Sequence, residues 1–390
     1  MLSDRVNSLS ESITIAISTL ATELKAQGKD VLSFSAGEPD FDTPQVIKDA
    51  AIEAIKSGFT KYTAVDGIPA LKEAIINKLK RDNGLTYTPN QVITNNGAKH
   101  SLFNLFAATI QKGDEVIIPS PYWVTYPELV VYFGGTVVEI PTNDESAFKI
   151  TPEQLKNALT PKTKMIILTS PSNPTGSVYT RDEFAALAKV LEGTNVLVAS
   201  DEMYEKLIYD GEFTSAAAVS DDMFKRTITI NGLSKSVAMT GWRFGYMASY
   251  QTEIIQATKK LQSQSTSNIN SITQKAAIVG LNGAADADIE KMRIAFKERR
   301  DEAVKLINAV DGLSVYKPDG AFYLFINIKK VSNDSMDFCK QLLEKKGVAL
   351  VPGVGFGSEG YARFSFATDI ESIKEGIKRI AEFVKEIKNK

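Results

Sequence analysis

Six short apolar runs, at residues 91–94, 115–119, 136–140, 164–169, 195–199 and 227–230, are interleaved or flanked by helical patterns at 44–57, 68–81, 101–110 and 181–191. Runs this short suit buried strands, and strands separated by amphipathic helices pair in parallel, with the crossover helices covering the sheet. The fold class is therefore α/β: a large domain with a mostly parallel sheet flanked by helices. From about Asp286 the pattern changes to a long charged helix at 289–310, apolar pieces at 314–316, 321–326, 348–351 and 362–367, and a closing amphipathic helix at 370–387. We read a smaller α+β domain there, completed by the N-terminal residues. The expected division is 1–44 with 286–390 as the small domain and 45–285 as the large one. A chain of 390 residues has room for both, at roughly 150 residues per domain.

Charge excludes several roles. With 45 basic against 47 acidic residues, nothing draws the whole protein to nucleic acid or to an anionic membrane. One cysteine, Cys339, cannot pair internally, and one histidine, His100, beside it makes a zinc cluster or a His-based triad a poor expectation, so no metal is expected. No run reaches the ~18 consecutive apolar residues of a membrane span. Met1-Leu2-Ser3-Asp4-Arg5 lacks the basic start and apolar stretch of a secretion signal, which makes the cytoplasm the expected location.

Open α/β sheets bind ligands beyond the carboxyl ends of their strands, and here five such ends carry chemistry. After 91–94 comes Asn95-Asn96-Gly97-Ala98-Lys99-His100, where small residues at a helix start can offer N–H groups to a phosphate or simply begin a helix. After 115–119 comes Ser120-Pro121-Tyr122-Trp123, with a tryptophan that can stack on a flat ring or fill a core. After 164–169, Ser170-Pro171-Ser172-Asn173-Pro174-Thr175-Gly176 presents an amide from a proline-bracketed turn. After 195–199, Asp201 has two readings: an N-cap, or a buried carboxylate that needs a cation such as a protonated pyridine opposite it. After 227–230, Lys235 and Arg243 lie eight residues apart among small residues. A lysine there can form a Schiff base with an aldehyde, and an arginine at that reach can hold a phosphate.

Taken in order, these segments, together with Ser35-Ala36-Gly37-Glu38-Pro39-Asp40-Phe41, Lys61-Tyr62, Gly67-Ile68-Pro69, Asp201-Glu202-Met203-Tyr204, Gly320-Ala321-Phe322-Tyr323 and Arg363-Phe364-Ser365, carry a family resemblance. The chain resembles the class I aminotransferases, fold type I enzymes dependent on pyridoxal 5'-phosphate (PLP), in the bacterial aspartate aminotransferase branch. The likeness runs over essentially its whole length.

The resemblance implies that Lys235 carries the cofactor and moves a proton at the substrate Cα. It implies that Asp201 keeps the pyridine nitrogen protonated, that Asn173 and Tyr204 bond the ring's phenolic oxygen, and that Trp123 stacks on the ring. Gly97, Ala98, Ser234 and Arg243 would hold the phosphate, joined by Tyr62 from a second subunit of a homodimer. Arg363 would grip the substrate α-carboxylate bidentately, with Gly37 admitting the same group to the backbone. Lys99 is the expected cation for a distal carboxylate, assisted by Ser12 and Thr14.

Implied substrates are amino acids and 2-oxo acids, with aspartate and 2-oxoglutarate as the main pair. Transamination of aromatic amino acids or prephenate is the alternative; related prephenate enzymes tend to have a lysine where this chain has Ser10. A PLP-dependent β-elimination lyase shares the fold and its catalytic residues, and a PLP-binding transcription regulator would need a DNA-binding module for which the chain has no room. The glycine-rich stretch 352–357 reads as a small-domain turn. The polar stretch 262–268 reads either as a donor of hydroxyls to a partner's site or as a solvated helix turn.

Overall fold

A computed structural model describes residues 2–11 and 13–389. Its large sheet has seven strands: β1 (Val92–Asn95), β2 (Glu115–Ser120), β3 (Thr136–Pro141), β4 (Thr163–Thr169), β5 (Leu197–Asp201), β6 (Thr227–Gly232) and β7 (Gly245–Ser249). They stand in the order β1-β7-β6-β5-β4-β2-β3. From β6 to β3 all neighbours are parallel, as the alternation of strands and helices requires.

β7 runs antiparallel to both β6 and β1 and lies outside the runs anticipated from sequence. Gly-Tyr-Met-Ala-Ser has no β-branched residue, and neighbours on both sides make it a strand. Its direction matters for chemistry. Gly232 at the end of β6 pairs with Gly245 at the start of β7, so Lys235 just after one strand and Arg243 just before the other emerge at the same edge. A Cβ on Gly245 would come within 2.5 Å of Ala98 N, so only glycine lets the turn after β1 approach this edge.

The small sheet has four strands, β8 (Ser314–Val315), β9 (Tyr323–Asn327), β10 (Val351–Pro352) and β11 (Tyr361–Ser365), in the order β10-β11-β9-β8 and antiparallel throughout. The strand expected at 348–351 is split: Val348–Ala349 pairs in parallel with Leu32–Ser33, and beyond Leu350 the chain joins β11 instead. The closing helix, Ile370–Lys388, buries Ile373, Ile377, Ile380, Phe383 and Val384, a stripe at three- and four-residue spacing. Residues 355–360 spell G-x-G-x-x-G, yet they leave a 3-10 turn and run into β11 without opening a helix. No helix N-terminus is therefore aimed at a phosphate there.

One cluster of buried side chains runs through both sheets, from Ile93, Met165, Ala199, Ile230 and Met247 to Phe322, Leu324, Phe364 and Phe366. The carboxyl edge of the large sheet thus meets the small sheet across a shared core. No helix among the described residues is long and apolar enough to cross a membrane.

Candidate active site

A cavity of about 480 Å³ opens where the two sheets meet, and all five of the chemically marked strand ends reach it. Asp201 is the last residue of β5 and is 5 % exposed. Its Oδ2 accepts from Tyr126 Oη at 2.7 Å and its Oδ1 from Met203 N at 3.2 Å. Burial pushes this carboxyl above the usual range, while the Tyr126 hydrogen bond, the Met203 N–H and the positive Lys235 draw it back. The N-cap reading of Asp201 is corrected: turns follow β5, not a helix, and the carboxylate closes its own turn onto Met203.

Lys235 lies among buried neighbours, its Nζ 5.9 Å from the ring centroids of Tyr204 and Phe322. It donates to the carbonyl of Gly37. Burial brings its ammonium down to about 8; Glu38 opposes that shift, and Arg363 and Arg243 reinforce it. A lysine so placed has a far larger neutral fraction near neutrality than surface lysines have.

The helix after β1 spans Ala98–Thr109 and begins three residues before the expected 101, so Lys99 and His100 lie in its first turn. Gly97, its N-cap residue, has φ +83°, and a Cβ there would overlap the Arg243 guanidinium. Arg243 itself holds φ +57° and donates from Nη1 to Thr240 O at 2.8 Å. The helix start, Ser234 and Arg243 thus form one positively polarised wall. Lys99 Nζ stands 4.8 Å from the Trp123 ring centroid, and its ammonium is lowered by burial and by Arg243.

On the opposite wall, Arg363 of β11 is 1 % exposed. It donates from Nη1 to Asn173 Oδ1 at 3.0 Å and from Nη2 to Ser35 O at 2.8 Å, leaving Nε without a protein acceptor. Tyr204 Oη and Tyr323 Oη share a 2.8 Å hydrogen bond beside it. Of the expected residues, Gly37, Thr14, Ala98, Lys99, Trp123, Asn173, Tyr204 and Ser234 all line this cavity with Asp201, Lys235, Arg243 and Arg363. Gly97 lies behind Arg243, while Tyr62 is 91 % exposed and does not reach the cavity of its own chain. Ser12 lies outside the described residues.

Sequence reasoning missed Tyr126 and Thr169 as site residues, and it quoted Tyr323 within a motif without giving it a role. Tyr126 stands three residues after Trp123, in the first turn of the helix Thr125–Tyr132, and the two rings meet edge to face at 5.5 Å. The stretch 262–268 resolves unequally. Gln262 is fully buried, accepting from Asn95 Nδ2 at 2.7 Å and donating to Thr94 O at 3.0 Å, so a solvated turn describes only the residues after it.

Lys99, Lys235, Arg243 and Arg363 face one cavity, and among the described residues none of them forms an ion pair. Among the described residues there is also no group of three or more His, Cys, Asp or Glu placed for a metal. The arrangement suits anionic small molecules that react with a neutral amine.

The profile of the family "Aminotransferase class I and II" matches residues 29–380. The aspartate aminotransferase of Bacillus sp. (strain YM-2) is 50 % identical over 391 residues, 99 % of each chain. The aspartate/prephenate aminotransferase of Nitrosomonas europaea is 46 % identical, covering 98 % of this chain and 99 % of that one. Among solved structures, the aspartate aminotransferase from Thermus thermophilus with maleate superposes with a TM-score of 0.95 at 42 % identity, over 98 % of this chain and 99 % of that one.

Proposed function

The chain belongs to the class I and II aminotransferases, and from that membership we propose that it is a PLP-dependent aspartate aminotransferase. It moves the amino group of L-aspartate to 2-oxoglutarate, giving oxaloacetate and L-glutamate. The observation that carries this reading is the set of three cations without an ion pair, Lys99, Arg243 and Arg363, around one cavity with a buried carboxylate, Asp201, and a depressed lysine, Lys235. Three anionic groups are called for, which a phosphate-bearing cofactor and a dicarboxylic substrate supply.

The residues present fit PLP. The Arg243 wall suits its phosphate, the buried Asp201 carboxylate wants a cationic N–H, and the unpaired Arg363 Nε faces the need for a second anion. When bound, PLP supplies an aldehyde and a ring that takes up the electron pair left when an amino acid loses its Cα proton. Lys235 Nζ holds the cofactor and then carries the proton from Cα. Asp201 holds the ring N–H, Asn173 and Tyr204 bond the phenolic oxygen, and Trp123 covers the ring face. Ser234, Arg243 and the N–H groups after Gly97 bind the phosphate, with Tyr62 entering from the second subunit of a homodimer.

Arg363 binds the α-carboxylate against the backbone at Gly37; Lys99 and Thr14 select the distal one. Residues 1–44 with 286–390 act as a small domain that closes on 45–285. The single cysteine, Cys339, is buried in its free form, which suits a cytoplasmic enzyme. A second reading, transamination of prephenate, follows the name of the Nitrosomonas europaea relative. Measuring kcat/KM for aspartate, glutamate and phenylalanine as amino donors, and for 2-oxoglutarate and prephenate as acceptors, tests the reading; aspartate and 2-oxoglutarate should lead, and a larger value for phenylalanine or prephenate would replace it with the second.

A further inference from the structure

Asp201 can act only as an anion, yet it lies at the end of a central strand with no arginine or lysine bonded to it. Each of its oxygens has one protein donor, and the shorter of the two bonds comes from Tyr126 Oη. Tyr126 is 1 % exposed and sits on the helix Thr125–Tyr132 that follows β2. The same hydroxyl lies 2.9 Å from Thr169 Oγ1, and Thr169 is the register partner of Asp201 on the adjacent strand β4. With Tyr126 donating to the carboxylate, Thr169 donates to Tyr126, so the three make a directed chain toward Asp201.

Resting on the function proposed above, we infer that Tyr126, oriented by Thr169, is a positioning residue that holds Asp201 ionised and aimed for the cofactor ring. Other groups facing Asp201 are Lys235, Met203 N–H and Tyr204. Lys235 is committed to the substrate side, and Tyr204 bonds Tyr323 instead. The Tyr126 phenol is pushed well above its ordinary range by burial and by the Asp201 charge, so it remains a donor at every working pH. Removing its hydroxyl leaves Asp201 buried with one N–H donor, and its carboxyl then rises further.

The test compares full-length wild type, Tyr126→Phe and Thr169→Val by the dissociation constant of PLP between pH 5 and 9, beside the pH profile of kcat with aspartate. Below the pH at which Asp201 takes a proton, PLP binding weakens. Tyr126→Phe should move that acidic limb to higher pH, so that PLP affinity falls by up to roughly tenfold at the acidic end of the range and recovers toward pH 9. Thr169→Val should shift it the same way by less. A residue that only fills space would change affinity equally at all pH values, so superposable limbs overturn the inference. If Tyr126→Phe does not fold, the Thr169→Val limb decides alone, and its coincidence with wild type is the overturning result. Wild type that neither binds PLP nor turns over aspartate defeats the proposed function, and this inference with it; wild type that does both beside unshifted variants defeats this inference only.

Discussion

Arg363 on the small sheet donates a 3.0 Å hydrogen bond to Asn173 Oδ1 on the loop beyond β4 of the large sheet. One contact thus joins the residue proposed to grip the substrate α-carboxylate to the residue proposed to bond the cofactor ring. A guanidinium held at Nη1 and Nη2, with Nε still free, has its plane fixed before substrate arrives.

Arg363→Lys should therefore weaken all amino acids alike, because an ammonium cannot replace the fork. Loss of one charge-assisted contact corresponds to about 1.5–3 kcal/mol, a roughly 10- to 150-fold lower kcat/KM. Lys99→Ala should lower kcat/KM for aspartate and glutamate while largely sparing phenylalanine and alanine. Equal losses for aspartate and phenylalanine in Lys99→Ala would assign Lys99 to the cofactor pocket instead.

Burial lowers the Lys235 ammonium to about 8. Competitive trace acylation of the PLP-free protein should show Lys235 reacting with a midpoint near pH 8, well before surface lysines at ~10.4. A Lys235 midpoint indistinguishable from the surface set would remove the argument that it works as a neutral amine.

Glu202 follows Asp201 but is held by Ser200 and Ser215, at 2.8 and 2.7 Å to Oε1, with Oε2 unpaired. Burial, reinforced by the nearby Glu205 charge, raises it to about 7. Because the folded value lies above the unfolded one, its contribution to stability is full below about pH 4.5 and is lost as pH rises through about 7. Unfolding by urea at pH 5 and pH 8 should show Glu202→Gln gaining on wild type by about 2–3 kcal/mol over that interval. A pH-independent gap would show that Glu202 does not titrate there.

Tyr62 is 91 % exposed on its own chain, and the proposed function has it complete the site of a second subunit. Mixing inactive Lys235→Ala protein with impaired Tyr62→Phe protein under subunit exchange forms one hybrid site with wild-type Lys235 and wild-type Tyr62. Activity above that of Tyr62→Phe alone is expected. No gain after exchange, or a monomer at assay concentration, would count against the shared site.

Strand ends were legible in the sequence because a parallel sheet forces its chemistry to one edge, so Asp201, Asn173, Trp123 and Lys235 could be placed by counting from apolar runs. The helices at Pro69–Asn83 and Arg181–Leu191 carry their own signals, a proline in the first turn and a Thr180–Glu183 capping box. What the sequence hid was set by tertiary contact. β7 is a strand because β1 and β6 flank it, and helices such as Thr252–Ser263 and Ser271–Leu281 bury polar side chains, Gln262 and Gln274, that blur their apolar stripes. Tyr126 escaped for a similar reason: its hydroxyl matters only through Asp201, a residue 75 positions away.

The most direct measurement of the central claim is a single half-reaction. Purified protein with its bound PLP is mixed with L-aspartate and no oxo acid, and the products are quantified against subunits, with borohydride-treated protein, mapped for label on Lys235, as the control. The account predicts one oxaloacetate per subunit, no ammonia, restoration of the starting form by 2-oxoglutarate, and no product from the labelled control. Release of ammonia in place of stoichiometric oxaloacetate, or a borohydride label on a lysine other than Lys235, would contradict it.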